Sequence, residues 1–377
     1  QIKKLIGYVK MAEGVEIPAE KPTEMMTVID LIKMGSSMKK ALRLFREFKG
    51  IDTSDLMNCF QHPLIKCVIS DFCTKESMGY SFPMAYGNFT GGDGGIPRGG
   101  SRAMSLRIQK RFEQLGGKVY TDANVEKVEL AGERATGIAL AGGQKVEADY
   151  IICACDPDYT FHRLLDPSYM DPVFKEVYAN RKAYPVYGMF QAAFAVHHAV
   201  DVIGGDIMLD CRDIKVADWM GDRMTVKSYS YEPGFAPKGK QVIQVLIGLR
   251  EEAYDYWAGL YKDRGAYQRE KEEIANKVLK KMEGRFPEYQ GKMEILDTWT
   301  PVTYQRYCNA YKGYNQAFTI TKNSMKNPYP SAYIKGIDNV ILAGQWLSPP
   351  GGLPGAAIQG KYSIQRVLRK EKRSIKI

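Results

Sequence analysis

The sequence predicts a mixed α/β fold, and three observations carry that prediction. Residues 91–158 run as glycine-rich turn, helix, short strand, antiparallel meander and apolar strand. Residues 339–357 run as apolar strand, glycine- and proline-rich turn and helix start. Between these stretches, two-residue alternation (186–196 and 241–249) is mixed with helical spacing (267–283, with Ile274, Val278 and Met282 at four-residue steps). At roughly 150 residues per domain, the 377 residues allow two or three domains with ample core. An apolar fraction of 45% against 25% charged excludes collagen-like, disordered and coiled-coil chains. The expected division is 1–90, 91–158, 159–330 and 331–377, with the second and fourth segments forming one α/β unit around an insertion.

Taken in order, residues 1–75 read as helices joined by short loops. One helix is expected over 30–48, with Leu31, Met34, Met38, Leu42, Phe45 and Phe48 on one stripe and Lys39, Lys40, Arg43, Arg46 and Lys49 on the other. Such a helix either packs on a core with a solvated basic face or lies on an anionic membrane. The net charge of +10 suits the second reading as well as the first. The alternation of Met78, Tyr80, Phe82, Met84, Tyr86 and Phe89 reads as a buried strand or as contacts for an apolar ligand. Ser101 is expected to cap a helix bearing Met104, Ile108, Phe112 and Leu115, which Gly116 and Gly117 end. Strands follow at 118–120, 125–130, 135–140 and 146–148, then a buried strand at 150–155 closed by Asp156-Pro157.

The composition and motifs also limit the chemistry. No apolar run reaches the roughly 18 residues of a membrane span, and the richest, 186–196, contains Gln191. The start Gln1-Ile2-Lys3-Lys4 leads into no signal-type apolar region, so a cytoplasmic protein is expected. The seven cysteines (59, 67, 73, 153, 155, 211 and 308) are odd in number and lack Cys-x-x-Cys spacing, which argues against a disulfide framework, and Cys153 and Cys155, two apart on one face of a strand, are expected to be buried structural thiols. His62, His162, His197 and His198 show no spacing with carboxylates or thiols that suggests a metal site or a triad, so no metal is expected. Nor is nucleic acid an expected partner.

The strongest signal is C-terminal. A strand ends at Gly344-Gln345, and Gly351-Gly352-Leu353-Pro354-Gly355 delivers the chain into a helix. Pro354 is pre-organised for a helix start, and Gly355, Ala356 and Ala357 let a flat ligand approach. Lys361, Arg366, Arg369 and Lys370 lie toward the helix end that favours cations.

On these residues the chain resembles the FAD-dependent oxidoreductases related to phytoene desaturase and retinol saturase, within the amine-oxidase-type flavoprotein superfamily. IPRGGSRAMSLRIQKRFEQLGGKVYTDANVEKV (96–128) resembles the family's P-x-G-G helix and the strand that meets the adenine. ADYIICACD (148–156) resembles the strand closing the meander, and NVILAGQWLSPPGGLPGAAIQGKYSIQRVL (339–368) the C-terminal flavin-binding segment. TPVTYQRY (300–307) resembles a segment near the family's substrate cavity. The resemblance implies an FAD-binding-type domain from 91–158 and 331–377, and a substrate domain from the helical 1–90 and the mixed 159–330. It implies hydride transfer between flavin and C–C bonds of an apolar, polyene or isoprenoid, substrate, with the membrane surface as a further contact. The flavin contacts it implies are Val125, Gly344, Gln345, Gly351, Gly352, Leu353, Pro354 and Gly355. No catalytic side chain is assigned, because the flavin does the redox work.

Two departures shape the expectation. Family members carry a strand–G-x-G-x-x-G–helix unit for the FAD pyrophosphate, and no such motif occurs here. The chain is therefore expected to be the C-terminal portion of a longer enzyme, itself inactive and binding FAD weakly or not at all. Gln345 stands where many relatives carry an acidic residue. The alternatives are a flavin-free fragment that binds lipid or a membrane surface, and a flavoenzyme of amine- or porphyrinogen-oxidase type.

Overall fold

A computed structural model describes residues 1–15, 19–197, 202–217, 219–314 and 316–373. The chain divides into two units. One comprises Gln1–Gly95, Asn124–Pro185 and Gln316–Ile377, the other Ile96–Ala123 and Val186–Asn315. Mixed helix and sheet make up both, as the residue pattern predicts. In this grouping 1–90, 159–185 and 316–330, expected in the substrate domain, fall with the meander and the C-terminal segment, and 96–123 falls with the strand-rich unit.

The first unit opens with short helices, among them Ile2–Ala12, Val28–Ser37, Lys39–Glu47, Thr53–Asn58, Pro63–Phe72 and Ser81–Thr90. Their shared core is Ala12, Leu44, Phe48, Leu56, Phe60, Ile69 and Phe82. The start signals are local. Thr27 with Asp30 and Asp52 with Asp55 form reciprocal capping boxes, and His62 caps the helix that Pro63 begins. The single helix expected over 30–48 is instead two, broken at Met38 after Gly35-Ser36-Ser37. Ser37 Oγ turns back to the Met34 carbonyl (3.0 Å), a bond that competes with helix continuation. Of the predicted stripe, Phe48 is buried as expected, but Leu31 and Leu42 are exposed and the burial passes instead to Ala41 and Leu44. Of the alternating residues at 78–89, Phe82, Met84, Tyr86 and Phe89 lie in the helix Ser81–Thr90 and not in a strand, with Tyr80 just before its start. Phe82 and Tyr86, four residues apart, have ring centroids 5.4 Å apart, and Phe72 packs against Tyr86 at 4.9 Å. Helical neighbours thus use the aromatics that alternation had assigned to a sheet.

The meander matches its prediction. Strands β1 (Val125–Ala131), β2 (Arg134–Leu140) and β3 (Lys145–Glu147) form an antiparallel sheet in that order. Next, β4 (Ile151–Cys153) pairs in parallel with a strand at Val340–Leu342, in register Ile151↔Val340 to Cys153↔Leu342. The two apolar segments that flank the sequence's glycine turns are therefore neighbours.

The second unit is built on a five-stranded antiparallel sheet. Its strands are β5 (Tyr187–His197), β6 (Asp206–Asp210), β9 (Arg223–Ser228), β10 (Lys240–Arg250) and β11 (Met293–Trp299), after the small hairpin β7 (Lys215–Val216) and β8 (Trp219–Met220). The order is β11-β5-β10-β9-β6, and β12 is the Val340–Leu342 strand of the first unit. Along β10 burial alternates, so Ile243, Val245, Ile247 and Leu249 point into a core completed by Phe190, Phe194, Trp257, Ile274, Val278 and Met282. Trp257 belongs to the helix Glu252–Leu260, and Ile274, Val278 and Met282 to the helix Arg264–Arg285. The opposite face carries the even residues of β10.

Two local expectations in this unit are corrected. Ser101 caps nothing: the helix is Gly100–Gln114, and Gly99, at φ +74°, donates its N–H to Glu232 Oε2 at 2.8 Å. Residues 118–120 form no strand, and Val119 and Tyr120 are 43% and 75% exposed. A strand needs a paired neighbour, and among the described residues none runs beside them.

Candidate functional site

The C-terminal turn is built from β12 outward. All three residues of β12 are buried, and the chain leaves it at Gly344 with φ +93°. A short helical turn at Gln345–Leu347 leads to Pro349-Pro350, then to Gly351 and Gly352 at φ +92° and +101°. Side chains rarely adopt these angles, so both glycines are required by the backbone itself. Gln345 Oε1 accepts the Gly352 N–H at 3.0 Å, which ties the start of the turn to its end. Ala317 donates its N–H to the Pro350 carbonyl at 3.1 Å and closes the other side.

From there the helix Leu353–Lys370 begins with Pro354 in its first turn, no side-chain cap and no acidic residue near its start. Its leading N–H groups are orphan donors at the positive end of the helix. Gln359 Nε2 reaches back to Ser348 Oγ (2.9 Å), while Gln359 Oε1 is buried without a donor among the described residues. Lys361, Arg366, Arg369 and Lys370 do lie in the second half of the helix, and Arg366 is 6% exposed with Nε on Glu24 Oε1 (2.7 Å).

Of the expected contacts, Gly344, Gln345, Gly351, Gly352, Leu353, Pro354 and Gly355 thus fall in one turn. Gly355 differs from Gly352, however. Its backbone is helical, and a Cβ there would meet only Ser348 Cβ at 3.4 Å, an ordinary contact. Val125 sits apart from the turn in the chain path, at the head of β1, where its carbonyl accepts the Tyr159 hydroxyl at 2.9 Å.

Asn339, one residue before β12, is a group that sequence reasoning missed. It is 1% exposed, and its side chain accepts from Ala135 N (2.8 Å) and donates to the carbonyls of Ala135 and Asp149 (2.7 Å each). One carboxamide therefore fastens the meander to the strand that feeds the glycine turn.

A cleft of about 250 Å³ lies in the second unit, lined by Gln191, Trp299, Thr303, Tyr304, Tyr307 and Cys308. The helix Pro301–Cys308, within the segment singled out as TPVTYQRY, supplies four of these. Gly313 pins that helix: at φ +64° its Cα approaches so closely that a Cβ would lie 1.7 Å from the Pro301 carbonyl oxygen. Gln191, Trp299 and Cys308 were not foreseen here. The signal available was Gln191 itself, the one polar residue in 186–196. Burial pushes the Tyr304 hydroxyl above its ordinary pKa, so it stays protonated.

The remaining polar residues carry no comparable arrangement. All seven cysteines are free. Cys153 is buried as expected and Cys155 is half-buried, while Cys211 is buried as well; burial pushes the Cys153 and Cys211 thiols up to about 12 and about 11. Cys59 and Cys308 are exposed. His62 is a helix cap, His162 lies 3.7 Å from Asp158, and His197 lies 3.0 Å from Glu294, while His198 falls outside the described residues. Among the described residues no three His, Cys, Asp or Glu side chains could hold a metal ion.

Known proteins agree with this architecture. The family model for flavin containing amine oxidoreductase matches residues 31–368. The zeta-carotene-forming phytoene desaturase of Myxococcus xanthus is 25% identical over 77% of this chain and 56% of its own. The chloroplastic prolycopene isomerase of Daucus carota is 24% identical over 82% and 48%. The lycopene-forming phytoene desaturase of a Paracoccus species is 22% identical over 97% and 74%. The chain thus spans about half the length of the first two relatives. Among solved structures, an oxidoreductase from Methanosarcina mazei superposes with a TM-score of 0.57 at 15% identity, covering 90% of this chain and 75% of that one. A redesigned putrescine oxidase does so with 0.58 at 13%, covering 98% and 74%. These two show the fold. With the family model spanning most of its length, the chain belongs to the flavin-containing amine oxidoreductase family.

Proposed function

We propose that this chain serves an FAD-dependent oxidoreductase of the phytoene desaturase type, which moves hydride between flavin and C–C bonds of an apolar, polyene or isoprenoid, substrate. The observation that carries this reading is the turn at 344–355, which fits a flat, electron-rich group. Gly352, one of its three positive-φ glycines, has open space beside its Cα, the helix beyond it is uncapped, and a buried acceptor on Gln359 beside it wants a donor. Flavin, when bound, supplies the hydride acceptor or donor. The chain's own residues do the rest. Gln345 and Gly351 hold the turn in shape, Gly352 would leave room for the ring, and the N–H groups of Leu353 and Gly355 would favour negative charge at the helix start. Gly344 and the backbone of Val125 are the proposed neighbours of the rest of the cofactor.

The cleft of Trp299, Tyr304 and Tyr307 is the proposed contact for the apolar substrate, in keeping with relatives named for phytoene and prolycopene. A membrane surface is the proposed setting. On the helix Val28–Ser37, Val28, Ile29 and Ile32 are 72%, 65% and 67% exposed on one arc and Lys33 is exposed too, while Lys39, Lys40 and Arg43 are exposed on the next helix. Apolar residues flanked by cations suit an anionic bilayer. Among the described residues no helix is long and apolar enough to cross a membrane.

Equilibrium dialysis of FAD against the purified protein tests the reading. Weak but saturable binding is expected, lowered about tenfold or more in Gly352→Val while circular dichroism stays native. Equal binding by that variant would overturn it.

A further inference from the structure

The face of the five-stranded sheet opposite its core carries a directed chain of hydrogen bonds. Tyr229, just beyond β9, donates its hydroxyl proton to Gln244 Oε1 at 2.6 Å. Gln244 Nε2 on β10 donates to Gln191 Oε1 on β5, also at 2.6 Å. Gln191 Nε2 then donates to the Tyr304 hydroxyl oxygen and lies 3.8 Å from Met189 Sδ. The strand register explains the alignment. Gln244 is opposite Ala193, so Gln191 and Gln244 are diagonal neighbours on one face, and Trp299 of β11 is opposite Gln191.

Every bond in this series points the same way, and each polarises the next. Gln191 is 7% exposed and spends both its acceptor and its donors inside the series. The Tyr304 oxygen is occupied by Gln191, whereas its proton has no acceptor among the described residues. Tyr304 and Gln191 both line the cleft, whose other walls are Trp299, Thr303, Tyr307 and Cys308. Among the groups lining the cleft, which also include Trp299, Thr303, Tyr307 and Cys308, the Tyr304 hydroxyl is the donor that a hydrogen-bond series orients.

We propose that this donor selects substrates that carry an oxygen acceptor, a carbonyl, hydroxyl or ether oxygen, on an apolar skeleton. The proposal rests on the reading of the cleft as the substrate contact, and it narrows the substrate class from plain hydrocarbon to oxygenated apolar molecules. A hydrocarbon filling the same space would leave the Tyr304 proton buried and unpaired, which disfavours it. Tyr304 acts here as a specificity residue and not as an acid, since burial holds its hydroxyl protonated.

The test uses two matched probes: β-ionone, an isoprenoid ketone, and the hydrocarbon that carries a methylene group in place of its oxygen. Isothermal titration calorimetry on the wild type should show both binding, with the ketone about threefold to tenfold tighter. Tyr304→Phe should abolish that preference by weakening the ketone alone, with an unchanged circular dichroism spectrum. Tyr307→Phe, on the exposed rim, should keep it. Equal affinities for the two probes in the wild type, or a preference that survives Tyr304→Phe, would overturn the oxygen selectivity and leave the cleft as an apolar site. Binding of neither probe would remove the cleft as a substrate contact and the proposal with it.

Discussion

Replacing Gly351 by alanine should destabilise the protein, while the same change four residues later should not. Gly351 sits at φ +92°, where an L side chain costs about 1–2 kcal/mol. The added Cβ would lie 2.7 Å from Gln345 Oε1, 3.0 Å from Ala317 N and 3.2 Å from Ala317 Cβ. The Gln345 carboxamide is the softest of these neighbours, so it moves and surrenders the bond it accepts from Gly352, worth about 1 kcal/mol. The sum is about 2–3 kcal/mol for Gly351→Ala. At Gly355 the backbone is helical and only Ser348 Cβ is near, at 3.4 Å. Gly355→Ala should therefore be neutral or stabilise by about 0.5–1 kcal/mol through helix propensity. Guanidinium unfolding followed by tryptophan fluorescence reads both values, and Trp346, 7% exposed within the turn, reports locally. Equal free-energy changes for the two variants would refute the assignment of backbone strain to this turn.

Three further outcomes follow from the same geometry. Asn339→Ala should lower stability by about 2–4 kcal/mol, because it strands the Ala135 N–H and the carbonyls of Ala135 and Asp149; a thermal melt showing no loss would contradict the fastening role. In titration with a disulfide reagent at mildly alkaline pH, Cys59 and Cys308 should react first. Cys73 and Cys153 should resist, since burial pushes their thiols up to about 12 and thiolate accumulates only as pH climbs toward that value; mass spectrometry after brief exposure locates the labels. Co-sedimentation with anionic vesicles should be strong, salt-sensitive and lost in the double variant Ile29→Glu with Ile32→Glu, whereas unchanged binding by that variant would remove the helix Val28–Ser37 from any membrane contact.

How much of this was readable from sequence depended on how local each signal was. The meander, β4 and β12 announced themselves through alternation and turn residues, because strand pattern and glycine punctuation act over a few residues. The same holds for the long strands β5 and β10 and for the helix Arg264–Arg285. What failed was decided at long range. Phe82 and Tyr86 alternate like strand residues yet pack as a helical pair against Phe72, and nothing in the sequence says which partner is present. The break at Met38 was foreshadowed by Gly35-Ser36-Ser37, a signal outweighed by an apparently continuous apolar stripe. At the candidate site, the glycine turn was readable residue by residue. Asn339 was not, since its partners lie 190 and 204 residues away in the chain. Gln191 was visible only as a polar interruption, because its meaning depends on Gln244 and Tyr304 arriving on the same face of the sheet.

The central claim is that the turn following β12 receives flavin, and amide hydrogen exchange with and without saturating FAD tests it most directly. The account predicts slowed exchange concentrated at Leu353 and Gly355, whose N–H groups lie at the helix start, with little change along β5 and β10; the N–H groups of Gly351 and Gly352 are already held by the Ser348 carbonyl and Gln345 Oε1. Protection that leaves these amides unaffected and gathers elsewhere in the chain would contradict it.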